Sequence, residues 1–149
     1  MFSGCSLLIS LPENLLPATT LAERCYYNMF FNCLSLTNAP KLPATTLALD
    51  CYYSMFSSCS SLTNAPKLPA TTLALDCYRW MFFYCSNLKK VYCNARYNAD
   101  GSEITTSIGS DWLYGVPNTA DCIFYKNADW SGPTTRSSNT IPSNWQIAT

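Results

Sequence analysis

The segment Leu-Pro-Ala-Thr-Thr-Leu-Ala occurs three times, at Leu16–Ala22, Leu42–Ala48 and Leu68–Ala74, each time followed by a Cys-Tyr pair and then by Met-Phe-x-x-Cys. Cys25, Cys51 and Cys77 stand 26 residues apart, and Cys33, Cys59 and Cys85 keep the same step. A fixed period of this size means repeating units that stack, because one unit cannot bury its own apolar face. Such stacks are binding surfaces far more often than catalysts.

Within one unit the spacing of apolar positions sets the expected local structure. Ala22, Cys25, Tyr26, Met29, Phe30 and Cys33 recur at the spacing of one helix face, so each unit is expected to hold a helix of about three turns. Thr20 with Glu23 three residues on reads as a capping box, Thr46 and Thr72 as plain caps, and Asp50 and Asp76 as first-turn acids that suit the helix dipole. Ser61–Leu68 and its near copy Ser35–Leu42 are too short and too proline-bounded for a helix, and read as short strands. Strands in successive units then run parallel, with Leu62 and Ala65 facing the core and Thr63, Asn64 and Lys67 facing out.

The unit Met-Phe-x-x-Cys-x-Ser-Leu-Thr-x-Ala-Pro-x-Leu-Pro-Ala-Thr-Thr-Leu-Ala resembles the BspA-like leucine-rich repeats of bacterial surface proteins, in a long-period form, from Met1 to about Val91. The resemblance implies an α/β fold: a right-handed leucine-rich-repeat solenoid with a parallel sheet on one face and short helices on the other. It also implies recognition or adhesion at a cell surface. Met1–Cys5 matches Met55–Cys59, so the chain begins within a repeat and reads as a fragment. The repeats extend over 1–97, with Asn87 to about Tyr97 as the last strand. Residues 98–149 read as a β-rich C-terminal cap, with a strand at Cys122–Lys126 and a terminal segment at Ile141–Ile147; this ending resembles the tail module that follows such repeats.

Composition removes several function classes. Nine basic and nine acidic side chains cancel, so there is no electrostatic footprint for nucleic acid. No stretch approaches the roughly 20 apolar residues of a membrane span, and the chain is not expected to insert in a membrane. Histidine is absent, which removes the commonest general base and zinc ligand. The nine cysteines invite a metal or disulfide reading, but a gap of eight residues along a helix separates thiols by about 12 Å, and six of them lie on the apolar face, where a thiol acts as a small hydrophobe. Two ladders of buried, reduced thiols are expected. No metal, no cofactor and no catalytic residue is assigned; Asp111 and Asp121 read as solvated turn residues, and the chain as not an enzyme.

Two faces are candidates for binding. The open sheet face carries the rungs Thr37, Asn38, Lys41, Thr63, Asn64, Lys67, Lys89 and Lys90. The outward helix positions vary most between units and carry Tyr27, Phe31, Tyr53, Arg79 and Trp80, side chains of the kind that make binding hot spots. For Trp80, Phe83 and Tyr84 packing under the cap is the plainer account. The expected function is a non-enzymatic, extracellular or cell-surface recognition module for a host surface or matrix protein or a glycan. A phage tail component and a structural spacer are the alternatives.

Overall fold

The computed structural model describes all residues, Met1–Thr149. The 26-residue units stack on one another, but they do so without a helix. Three short strands are present, β1 (Lys90–Cys93), β2 (Ile123–Lys126) and β3 (Gln146–Ala148), paired in parallel in the order β1-β2-β3 as one open sheet. The expected α/β leucine-rich-repeat solenoid, with helices along one face, is therefore corrected.

The segments expected to be helical are runs of overlapping four-residue turns. In the first unit the N–H groups of Cys25, Tyr27, Met29, Phe31 and Cys33 bond to the carbonyl three residues back. The alternate N–H groups, of Arg24, Tyr26, Asn28, Phe30 and Asn32, point out of the segment and bond to Leu49, Cys51, Tyr53, Met55 and Ser57 of the next unit. Beyond its first turn an α-helix would spend these donors inside itself. Here half of them lock neighbouring units together, and the second unit does the same to the third.

This arrangement needs a left-handed residue at every fourth position: φ is positive at Arg24, Asn28 and Asn32, at Asp50, Ser54 and Ser58, and at Asp76, Trp80 and Tyr84. Asn and Asp tolerate that region best among residues with a side chain. Asp50 and Asp76 are thus left-handed turn residues, not first-turn helix acids, and the capping roles of Thr20, Thr46 and Thr72 fall with the helices. Thr20 and Thr46 instead form a parallel bridge, as do Thr72 and Tyr97.

The strands expected in each unit shrink to isolated bridges, Ser10 with Asn38, Asn64 with Lys90 and Leu68 with Cys93. Prolines 40, 43, 66 and 69 in these segments have no N–H to offer a ladder. β1 is free of proline, and there the bridge widens into a strand.

The core runs the length of the stack. Phe30, Cys33, Leu36, Met55, Phe56, Cys59, Leu62, Met81, Phe82, Cys85 and Leu88 are all buried. Two aromatic ladders thread it: Phe2, Phe30, Phe56 and Phe82 at centroid steps of 5.6, 5.5 and 5.8 Å, and Tyr26, Tyr52 and Tyr78 at 5.8 and 6.1 Å. Both end on Trp112, 6.2 Å from Phe82 and 6.0 Å from Tyr78. Residues 98–149 continue the stack, since Trp80, Phe82 and Tyr84 donate to Ser110, Trp112 and Tyr114, and Asp111 supplies the left-handed residue. Trp112 donates its indole N–H to Thr140, and Trp130 to Ile104, so both large rings are buried with their polar atoms satisfied.

Candidate recognition faces

The turn side of the stack carries the outward aromatics. Tyr27 stacks on Tyr53 at 4.6 Å and Tyr53 meets Trp80 at 5.4 Å, while the Arg79 guanidinium lies 5.6 Å from the Tyr53 ring and 5.1 Å from that of Trp80. Tyr27, Tyr53 and Arg79, with Arg24, Asp50 and Asp76, line an open cleft of about 420 Å³. Its charges answer each other: Arg24 pairs with Asp50 at 3.1 Å and Arg79 with Asp76 at 3.9 Å.

Of the five residues assigned here from sequence, Tyr27 and Phe31 are exposed and Tyr53, Arg79 and Trp80 half-buried. Phe83 stacks on Tyr114 at 5.2 Å and Tyr84 meets the same ring edge-on at 5.5 Å. Tyr84 nevertheless keeps about half its surface exposed. Ser54 and Ser57, at the positions that carry larger residues in the flanking units, are buried.

The strand side places all eight assigned rung residues, Thr37 to Lys90, on the exposed surface. Thr37 donates to the Ile9 carbonyl at 3.1 Å, and Asn38 and Asn64 donate to the hydroxyls of Thr37 and Thr63. Lys41 pairs with Glu13 at 2.8 Å and Lys89 with Asp121 at 2.6 Å. The hydrogen bond from Lys89, with a second from Thr119, holds the Asp121 carboxyl at about 2.

Lys67 and Lys90 are different. Arg24, Lys41, Arg79, Lys89 and Arg96 are ion-paired. Lys126 donates to the Asn127 and Trp130 carbonyls, and Arg136 to those of Ile141, Pro142 and Trp145. Lys67 and Lys90 alone have neither an ion pair nor a hydrogen bond, and both stand on this face. Lys67 instead lies 5.7 Å over the ring of Tyr92.

Two residues on this face were not assigned from sequence. Tyr92 of β1 and Tyr125 of β2 are register partners, and their rings stack almost parallel at 4.1 Å. Period-two alternation marks Tyr92 as outward, since Lys90 and Tyr92 flank the buried Val91. Nothing in the sequence announces the pairing, because β1 and β2 do not follow the 26-residue step.

Seven of the cysteines are buried, and Cys5 and Cys25 are exposed. All nine are free, and Cys33, Cys59 and Cys85 donate to the carbonyls of Phe2, Phe30 and Phe56 at 3.1, 3.2 and 3.0 Å. Burial pushes the Cys51 thiol to about 11 and that of Cys59 to about 12, far from the reactive thiolate range. No three Cys, Asp or Glu side chains converge as a metal site, and no helix is long and apolar enough to cross a membrane.

Comparison of the chain with models of known protein families, with curated proteins and with solved structures returns no match.

Proposed function

We propose that this chain is a non-enzymatic recognition module working outside the cell, which binds a host surface or matrix protein or a glycan on its strand side. One observation carries the reading: the two basic side chains with no ion pair and no side-chain hydrogen bond in the molecule, Lys67 and Lys90, stand beside the stacked rings of Tyr92 and Tyr125 on one face. Elsewhere on the surface the basic side chains are answered internally, so an incoming ligand gains little from them. On this face two ammonium groups and the outer ring of the stacked pair, Tyr125, are left for a partner, and tyrosine is among the side chains that concentrate binding energy.

The test is to probe the 149-residue chain against arrays of glycans and of matrix proteins, alongside the Lys67→Ala/Lys90→Ala double variant. Binding that the double variant loses supports the reading. Silence on both arrays by folded protein overturns it, as does binding indifferent to the two lysines.

A further inference from the structure

The strand-side face has a definite order, and it ends in an asymmetry. On one rung, Lys67, Tyr92, Tyr125 and Ala148 follow one another across neighbouring backbones: Leu68 bridges to Cys93, Tyr92 pairs with Tyr125, and Tyr125 pairs with Ala148 of β3. Tyr92 has one ring face under Lys67 and the other against Tyr125. Tyr125 has one face against Tyr92, and on its other side the register partner is a methyl group. The Ala148 methyl does not reach up to cover the phenol ring, and Tyr125, half-buried, lines an open hollow of about 420 Å³ with Lys67, Tyr92, Lys126 and Thr149. The next rung, two residues back along β1, β2 and β3 and three back from Lys67, holds Asn64, Lys90, Ile123 and Gln146.

We infer that this surface seats an acidic oligosaccharide, with one pyranose ring on the open face of Tyr125 above Ala148 and carboxylate or sulfate groups of the same chain reaching Lys67 and Lys90. The inference rests on the recognition reading above and names its ligand class. Adjacent strands lie about 4.8 Å apart, so a pyranose ring above Ala148 continues the stack at a step close to the 4.1 Å between Tyr92 and Tyr125. The C–H groups on one face of a sugar ring carry partial positive charge and meet the negative face of the phenol.

The distance from Ala148 back to Lys67 is three strand steps, about 14 Å, which is longer than one sugar and calls for a short chain. The charge sign follows from the two unpaired ammonium groups, and Lys126, tied to backbone carbonyls, leaves the sign to them. The turn-side cleft does not compete, because its arginines and aspartates neutralise each other.

Calorimetric titration with an oligogalacturonate, a heparin oligosaccharide and a neutral cello-oligosaccharide tests this. At least one acidic probe should bind, more weakly as salt rises, and the neutral one should not. Tyr125→Ala should weaken binding about tenfold, close to 1.4 kcal/mol. Ala148→Phe, which leaves Tyr125 in place but covers its open face, should do the same at unchanged melting temperature. No binding of either acidic probe by folded protein overturns the inference, and so does acidic binding unchanged in both variants, which would be charge attraction alone. If the arrays return a protein ligand dependent on Lys67 and Lys90 while both acidic probes fail, the saccharide assignment falls and the recognition reading stands; if arrays and probes are all silent, both fall.

Discussion

The thiol of Cys59 donates to the carbonyl oxygen of Phe30 in the preceding unit, 3.2 Å away. The same bond recurs from Cys33 to Phe2 and from Cys85 to Phe56, which explains why a cysteine stands here and not an alanine: the thiol fills apolar space and adds a weak donor between units. Cys59→Ala should cost about 2 kcal/mol through a small cavity and a lost hydrogen bond. Cys25, which is exposed, should tolerate alanine with almost no loss. Urea unfolding of both variants checks this; equal losses would show that the bond contributes nothing.

The buried thiols also make stability fall in alkali. Their ordinary value is 9.0, and burial raises Cys51 to about 11 and Cys59 and Cys93 to about 12. Between these limits the unfolded chain has lost protons that the folded chain keeps, so stability decreases with pH. It should be level from neutrality to about pH 9 and then decline steeply toward 11 and 12. Melting temperatures followed across pH 7–11 give the answer, and a flat profile above 9 would mean that these thiols are open to solvent.

Ser58 has φ of 62° and makes no side-chain hydrogen bond. Left-handed backbone costs a residue with a Cβ about 1–2 kcal/mol, so Ser58→Gly should raise stability by about 1 kcal/mol after glycine's extra chain entropy is subtracted. Ser58→Val should lower it. Paired urea titrations read both signs, and a destabilising glycine would count against the turn ladder.

Gly115 and Gly101 separate strain from steric clash. Both have positive φ, 75° and 83°. A Cβ on Gly115 would meet the Tyr84 ring at 2.6 Å, whereas one on Gly101 meets nothing within 4 Å. Gly101→Ala should cost about 1 kcal/mol from backbone strain alone, and Gly115→Ala clearly more, unless the half-exposed Tyr84 swings away. Tyrosine fluorescence and thermal melting of the two variants distinguish those cases.

Asp121 reports the integrity of the strand side. Bonded by Lys89 and Thr119, its carboxyl should titrate at about pH 2, and Lys89→Met should bring it back toward the ordinary 3.8. Carboxyl carbon NMR shifts measure this directly, and a titration near 3.8 in the unaltered protein would show that Lys89 is elsewhere in solution.

The sequence is explicit about the register of the stack and about which side chains fill it. Phe30, Phe56 and Phe82 are 26 residues apart and form one ladder, and the Leu62 and Ala65 positions face the core because apolar residues at a fixed step must meet their own copies. The helix expectation fails for a reason also visible in the residues. Cys25, Met29 and Cys33 are four apart, as are Ala22, Tyr26 and Phe30, and a strict step of four drifts around a helix of 3.6 residues per turn. It does not drift in turns with a left-handed residue at every fourth place, where Asn28, Asn32, Asp50 and Asp76 supply tolerant side chains. Over three turns the two patterns are hard to tell apart by apolar spacing.

What decided between them is tertiary. A helix satisfies its donors alone, whereas the turn run leaves half of its N–H groups to be satisfied by a neighbour, and that neighbour exists only in the stack. The candidate site divides in the same way. The exposure of Lys67 and Lys90 follows from the repeat and from strand alternation, but the contact of Tyr92 with Tyr125, and the open ring face above Ala148, arise from pairing across segments that have left the 26-residue step. Local sequence sets what each residue prefers; only the folded chain sets which residues stand side by side.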